Sequence, residues 1–129
     1  MKAIKIYLAG AILGFEDECK KWRNEVKEKL GNYKYIFLDP LLIEVNLDNP
    51  IDIINTDKNM IDESDIILVD WAMVSAGTSM EIIYAWERDK DIYIIDSGAP
   101  ISIWVKYHSN VVVKSIDEAI EMIRNNYER

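Results

Sequence analysis

The 129-residue sequence contains a single cysteine, Cys19, and a single histidine, His108. One cysteine excludes a disulfide within the chain and a zinc cluster of thiolates. A Ser-His-Asp triad or a histidine-rich metal site would have to be built around His108 alone, and we expect neither. The sequence therefore predicts no metal site, implies no cofactor and gives His108 no catalytic role.

Positive charge is also scarce, because 15 Lys and Arg residues stand against 23 Asp and Glu residues, for a formal net charge of −8. Binding to a nucleic-acid polymer or an anionic membrane requires a basic surface, so the composition argues against both. The sequence has no apolar run long enough to span a bilayer, and its apolar start, interrupted by Lys5, lacks a cleavage-site pattern. These features predict a cytoplasmic protein, which could still bind a small anion at a helix N-terminus.

Short apolar runs alternate with helical patterns along the chain. Strands are predicted at 3–9, 35–38, 65–70, 91–95 and 110–113, and helices at 15–30, 51–61, 78–88 and 115–126. Residues 41–50 show no clear period and are predicted to form a long loop over a pocket. Alternating strands and helices indicate one α/β domain over residues 1–129, a doubly wound, flavodoxin-like or Rossmann-like fold with a five-stranded parallel sheet.

Ligands of such sheets bind beyond the carboxyl ends of the strands. This rule selects residues 10–15, 39–50 and 71–81. The last segment ends in Thr78-Ser79-Met80-Glu81 and has two interpretations. Thr78 and Glu81 could form a capping box, in which Glu81 only satisfies backbone N–H groups. Alternatively, Glu81 lies in the first helical turn with its carboxylate facing a ligand, and the helix dipole favours its ionised form.

Three motifs in order resemble the nucleoside 2-deoxyribosyltransferase family, together with its related deoxynucleoside 5′-monophosphate N-glycosidases. They are Ile6-Tyr7-Leu8-Ala9-Gly10, then Asp57 followed by Ser64-Asp65-Ile66-Ile67-Leu68, and Gly77-Thr78-x-x-Glu81-Ile82-x-Tyr84-Ala85. The resemblance extends from the first strand to about Val113. It implies cleavage of the N-glycosidic bond of a nucleoside or nucleoside 5′-monophosphate.

The resemblance also implies a role for each matching residue. Glu81 corresponds to the nucleophile that forms a glycosyl-enzyme, and Asp57 to an aspartate that positions the substrate and manages the proton of the departing base. Tyr7 corresponds to a tyrosine that orients the nucleophile. Without the resemblance, Asp57 is equally well a solvated helix residue, and a tyrosine on an apolar strand is more often part of the core.

Two serines bear on the choice of substrate. Ser75 stands where the resemblance gives free-nucleoside transferases an aspartate and monophosphate hydrolases a serine. Ser102, in a segment that a neighbouring subunit lends to the site in the family, replaces the transferases' asparagine. Both favour a 5′-monophosphate, because a hydroxyl can donate to a phosphate that a carboxylate would repel. Ala11 and Leu13 depart from the hydrolase pattern, since they remove a hydroxyl and a positive charge.

The expected substrate contacts are completed by Gly10, Gly77 and Asp39. The residues around Asp39-Pro40 are predicted to border the base pocket, with Trp71 and Met73 as other candidates for its wall. Trp104, Tyr107 and His108 are predicted to lie at a subunit interface of a homodimer or larger oligomer. Whether water or a second base resolves the glycosyl-enzyme stays open.

Two other functions fit parts of the sequence. The run from Asp65 to Met73 resembles a receiver domain with Asp70 as phosphoacceptor, although Leu8-Ala9-Gly10-Ala11 lacks the acidic pair that binds magnesium in receivers. A catalytically silent nucleotide-binding module is the third possibility. The joint presence of Tyr7, Asp57 and Glu81 argues against it.

Overall fold

The computed structural model describes residues 2–12, 15–43 and 48–128. Within these ranges the strands are β1 (Ile4–Gly10), β2 (Tyr35–Leu38), β3 (Ile66–Trp71), β4 (Asp91–Asp96) and β5 (Val111–Val113). The helices are α1 (Glu16–Leu30), α2 (Pro50–Glu63), α3 (Ala76–Trp86), α4 (Ile103–Tyr107) and α5 (Ile116–Tyr127), with a 3-10 helix at Pro40–Leu42. All five predicted strands and all four predicted helices are confirmed, with small shifts at their ends.

The strands form one parallel sheet in the order β2-β1-β3-β4-β5. The chain moves to one side of β1 to form β2, and to the other side to form β3, β4 and β5. The order therefore switches between β1 and β3, where ligands of doubly wound sheets bind. The predicted doubly wound α/β fold is confirmed.

Side chains alternate between the two faces of the sheet, and each face is covered by helices. Ile6 and Leu8 of β1 pack with α1 and α5, whereas Tyr7 and Ala9 pack with α2, α3 and α4. Both faces of the central strands are buried, which explains their nearly continuous apolar sequences. The phase of β1 thus directs Tyr7 toward the layer that contains α3.

Three local features differ from the sequence-based expectations. The helix α3 begins at Ala76, with Ser75 and not Thr78 as its N-cap, because the Ser75 hydroxyl accepts from the Thr78 N–H at 3.2 Å. The short helix α4 was not predicted. The region predicted as a loop begins with the 3-10 helix, and its residues 44–47 lie outside the described part of the chain.

The helix α5 begins with a modified capping box. The Ser115 hydroxyl accepts from the Glu118 N–H at 3.1 Å, as a capping box requires. The Glu118 carboxylate reaches back to the N–H of Lys114 at 3.0 Å, one residue earlier than the box would have it. None of the described helices is long and apolar enough to cross a membrane.

Candidate active site

The centre of the site is a hydrogen bond between β1 and α3. The Tyr7 hydroxyl donates to Oε2 of Glu81. Tyr7 is fully buried, and its aromatic ring packs in the core layer beneath α3. The rigid strand therefore fixes the position of one carboxylate oxygen and leaves Oε1 of Glu81 for another contact.

Asp57 joins this pair from α2. Asp57, Glu81 and Gly77 line one groove between α2 and α3, with a volume of about 580 Å³. Most of the other lining residues are apolar, including Ile53, Ile54, Ile61, Met80 and Ile83. A groove of this size, apolar and with two converging carboxyl groups, has the character of a small-molecule site. Tyr7, Asp57 and Glu81, predicted as a group from separate parts of the sequence, are thus brought together.

Burial raises the pKa of Glu81 to about 7, and the nearby Asp57 carboxylate adds to this effect. The hydrogen bond from Tyr7 and the positive charge of Arg23 oppose it. Burial also raises the pKa of Asp57, and burial together with the Glu81 carboxylate raises the pKa of Tyr7. Glu81 can therefore change its protonation state near neutral pH, whereas Tyr7 stays a hydrogen-bond donor.

The structure corrects both sequence-based interpretations of Glu81. With Ser75 as N-cap and Ala76 as the first helical residue, Glu81 lies in the second turn of α3 and not in the first. It is therefore too far along the helix to form a capping box, and its carboxylate is bonded by Tyr7 instead of by backbone amides. The effect of the helix dipole is also smaller than expected, since it decreases beyond the first turn.

The first turn of α3 forms the adjoining end of the groove. Ser75, partly buried, uses its hydroxyl oxygen to accept from Thr78, which leaves the hydroxyl hydrogen available to a ligand. The N–H groups of Ala76 and Gly77 follow, and such groups have no acceptor within their own helix. An anion bound here would receive several donors without needing a cationic side chain.

Gly10 ends β1 at a place where the neighbouring atoms leave little room for a side chain. A Cβ atom there would lie 3.1 Å from the Asp70 carbonyl oxygen and 3.3 Å from Cζ2 of Trp22. The following Ala11 is partly exposed, and Leu13 and Gly14 lie outside the described residues. Gly10 therefore allows close contact among β1, β3 and α1.

Asp39 is buried, with an exposed fraction of 4%, and its carboxylate is already engaged. It accepts from Nζ of Lys27 at 2.7 Å and from the Leu41 N–H at 2.9 Å, and it lies 3.5 Å from Nε of Arg23. These contacts hold the 3-10 helix at the end of β2. Asp39 thus fixes the backbone that follows β2.

Ser102 is not brought to Glu81 within this chain. It is exposed, caps α4 by accepting from Val105 N–H at 3.3 Å, and lines a separate groove of about 300 Å³ beside α3. Trp104, Tyr107 and His108 form the predicted aromatic cluster together with Trp86. Trp104 and Tyr107 are exposed by 73% and 71%.

Of the two residues predicted to form the wall of the base pocket, one lies in the core and the other at the surface. Trp71 is buried and donates through Nε1 to the Pro100 carbonyl at 2.9 Å, whereas Met73 is exposed. Asp70, the residue on which the receiver interpretation depended, accepts from the Ser97 hydroxyl. Among the described residues, no group of three or more His, Cys, Asp or Glu side chains could hold a metal ion.

Arg23 is the residue near the site that was not found from the sequence. It is 1% exposed and donates to the carbonyl oxygens of Cys19 and Leu8 at 3.0 and 3.2 Å. A signal was present, since Arg23 continues the buried stripe of Cys19, Val26 and Leu30 on α1. A cation on the buried face of a helix must have partners in the protein.

The raised pKa of Glu81 predicts how Glu81→Gln changes stability with pH. Between 4.5 and about 7 the unfolded chain ionises this group while the folded protein keeps it protonated, so wild-type stability decreases as pH rises. Below this window the two proteins should be about equally stable. Above it, Glu81→Gln should be more stable by about 1–3 kcal/mol.

Urea denaturation at several pH values measures this difference. Glu87→Gln is the matched control, because Glu87 lines the same groove but is exposed. A Glu81→Gln curve parallel to wild type at every pH would show that the carboxylate is solvated.

Comparison with known proteins identifies the family. The profile of the family described as nucleoside 2-deoxyribosyltransferase matches residues 6–115. The match stops before α5, so the predicted domain bounds of 1–129 stay a prediction. No significant sequence match is found among curated proteins.

Solved structures share the fold over nearly the whole chain. A 2-deoxyribosyltransferase from Leishmania mexicana superposes with a TM-score of 0.73 at 18% identity, covering 98% of this chain and 99% of that one. Another from Bacillus psychrosaccharolyticus gives 0.72 at 20% identity, covering 90% of each chain. The CMP N-glycosidase of Clostridium botulinum gives 0.67 at 21% identity, covering 94% of this chain and 98% of that one.

The profile match decides against the receiver interpretation, for which Asp70 would have been the reactive residue. Because it spans most of the sequence, including β1, α2 and α3, the chain belongs to the nucleoside 2-deoxyribosyltransferase family and is an enzyme that cleaves N-glycosidic bonds.

Proposed function

We propose that the protein cleaves the N-glycosidic bond of a nucleoside 5′-monophosphate through a covalent glycosyl-Glu81 intermediate. The observation that carries this proposal is the Tyr7–Glu81 hydrogen bond at the end of an apolar groove that also contains Asp57. A carboxylate fixed by one oxygen presents the other as a nucleophile with little freedom to turn away.

In the first step, Oε1 of Glu81 attacks C1′ of the sugar as the bond from C1′ to the base nitrogen breaks. The bonding electron pair leaves with the base, which takes a proton from Asp57. Burial raises the pKa of Asp57, which supports its carrying that proton. The developing oxocarbenium charge is stabilised by the ionised carboxylate below it.

In the second step, an acceptor attacks C1′ and releases Glu81. Water would complete a hydrolysis, and a second nucleobase would complete a transfer. Asp57, now ionised, takes the proton of the acceptor in either case. The site geometry is compatible with both acceptors, and an assay with and without a second base distinguishes hydrolysis from transfer.

The preference for a 5′-phosphate rests on the start of α3. A phosphate there would accept from the Ser75 hydroxyl and from the N–H groups of Ala76 and Gly77. The similarity to a CMP N-glycosidase also supports a monophosphate substrate. We place Gly10, at the end of β1, beside the sugar and Asp39 at the border of the base pocket.

Base exchange on free nucleosides is the second candidate. The similarity to 2-deoxyribosyltransferases favours it, as does the absence at Ala11 and Leu13 of the hydroxyl and positive charge expected in the hydrolases. In this case the sugar would occupy the same position above Glu81. Only the partner of the Ser75 hydroxyl would differ.

We further propose that the enzyme is cytoplasmic and works as a homodimer or larger oligomer, with Ser102 reaching a neighbour's site. Ser102 adjoins exposed apolar residues of α4 and α3, namely Ile103, Trp104, Tyr107 and Met80. An apolar surface of this extent supports contact with another protein chain. A second copy would cover it and bring the Ser102 hydroxyl to a groove that it does not reach within its own chain.

Glu81→Ala should lower base release by at least about 1,000-fold while the protein stays folded, because the proposed nucleophile is removed. The assay incubates the protein with a panel of nucleosides and 5′-monophosphates and measures free base by chromatography, with and without a second base. Glu87→Ala, in the same groove, should keep full activity. Substantial turnover by folded Glu81→Ala would refute the mechanism.

Ser75→Asp should reduce kcat/KM for monophosphates at least about tenfold more than for free nucleosides, because a carboxylate would repel the phosphate. Ser75→Asn is the matched control. Both replacements can cap α3, so stability should be retained in each, and only the aspartate adds a charge. Equal losses on both substrate types would remove the basis for the monophosphate preference.

Light scattering at micromolar concentration should give at least the mass of a dimer. Ser102→Ala should keep that mass and lower monophosphate turnover about tenfold, because a phosphate or sugar contact is lost. A fully active monomer would contradict the proposed assembly. An oligomer whose activity is unchanged by Ser102→Ala would contradict only the role of Ser102.

A further inference from the structure

The end of β1 extends beyond the end of β2. Their pairing stops at Tyr7 and Leu38, whereas β1 continues to Gly10. Successive residues of a parallel strand direct their backbone polar groups to opposite neighbours. The Ile4 N–H donates on the β2 side, and the Lys5 carbonyl accepts from β3's side, so even-numbered residues of β1 face β2.

The carbonyl groups of Leu8 and Gly10 consequently point to a region where β2 provides no donor. The Arg23 guanidinium fills this position. Its Nη2 donates to the Leu8 carbonyl at 3.2 Å and to the Gly10 carbonyl at 3.5 Å. Arg23 thus substitutes for the missing part of β2 and satisfies backbone acceptors that would otherwise be buried without partners.

The same guanidinium connects the end of β1 with the segment that follows β2. Its Nε lies 3.5 Å from Asp39, the residue that follows β2 and holds the 3-10 helix. Its Cζ lies 4.7 Å from the centre of the Trp22 ring, which in turn packs against Gly10. The buried Arg23 side chain therefore connects the end of β1 to the end of β2.

We propose that Arg23 is a positioning residue for the reaction, which holds the end of β1 so that Tyr7 and Gly10 keep their places and which supplies positive charge to the site. This inference rests on the proposed role of Glu81. Arg23 does not contact the substrate in this account, and it acts through the backbone and through its charge.

Groups on the neighbouring elements act on the ionisation of Glu81. Glu81 faces Tyr7 on β1 and Asp57 on α2, and Arg23 on α1 favours its ionised form. Arg23 also lowers the pKa of Tyr7, in opposition to burial and the two carboxylates.

Arg23 itself has several charged or titratable neighbours. Asp39 and Lys27 form the ion-pair cluster with it, and its charge also acts on Cys19 and on Asp70 at the end of β3. Asp39 offsets part of the positive charge, so removing Arg23 and removing Asp39 should change the site in opposite directions.

The test compares Arg23→Lys, Arg23→Gln and Asp39→Asn with wild type, using Arg88→Gln as a control at an exposed arginine paired with Asp62. Base release from the best substrate in the panel is measured from pH 5 to 9, together with urea denaturation. Arg23→Lys keeps the charge but cannot span both carbonyls, so kcat should decrease about tenfold while the acidic limb of the pH profile stays in place.

Arg23→Gln should move the acidic limb to higher pH, and Asp39→Asn should move it to lower pH. A purely structural role predicts lower stability with kcat and the pH limb unchanged in the folded fraction, and that result would overturn the proposal. If Arg23→Gln does not fold, Arg23→Lys decides: an unchanged kcat would equally overturn it. Full activity of Glu81→Gln would instead refute the role of Glu81, independently of Arg23.

Discussion

The hydrogen bond from Tyr7 to Glu81 joins the central strand β1 to the helix that follows β3. This bond fixes the position of the carboxylate, and it also stabilises the ionised form of Glu81. Placing Glu81 in an apolar groove makes a carboxylate more reactive but penalises its ionisation, and the donated hydrogen bond recovers part of that penalty. The resulting pKa of about 7 lets Glu81 ionise near neutral pH.

The charged groups around the site act on the ionisation of Glu81 in opposite directions. Asp57 disfavours the ionised form of Glu81, and Arg23 favours it from the opposite side of β1. Arg23 is in turn balanced by Asp39 and held by backbone carbonyls. The proposed anionic substrate would not require a net positive protein, because backbone N–H groups and hydroxyls at the start of α3 would supply donors locally.

Much of this arrangement was predictable from the sequence. The apolar runs located each strand of the described residues, and the two-residue period of a strand puts Tyr7 and Leu8 on opposite faces. The start of α3 was misplaced because Ser75 and Thr78 are both good N-cap residues, and only the direction of the chain after β3 selects Ser75. Arg23 was missed because its partners are backbone carbonyls exposed by the early end of β2. The residue types alone do not show where one strand extends beyond its neighbour in the sheet.

The proposed mechanism depends on a covalent bond between the sugar and Glu81, and trapping that bond tests the mechanism most directly. A substrate with a fluorine at C2′ destabilises the oxocarbenium-like transition state and slows breakdown of the glycosyl-enzyme. After acid quenching and proteolysis, mass spectrometry should find one sugar adduct, on the peptide that contains Glu81. An adduct on another residue, or consumption of substrate with no adduct at any time, would contradict the account.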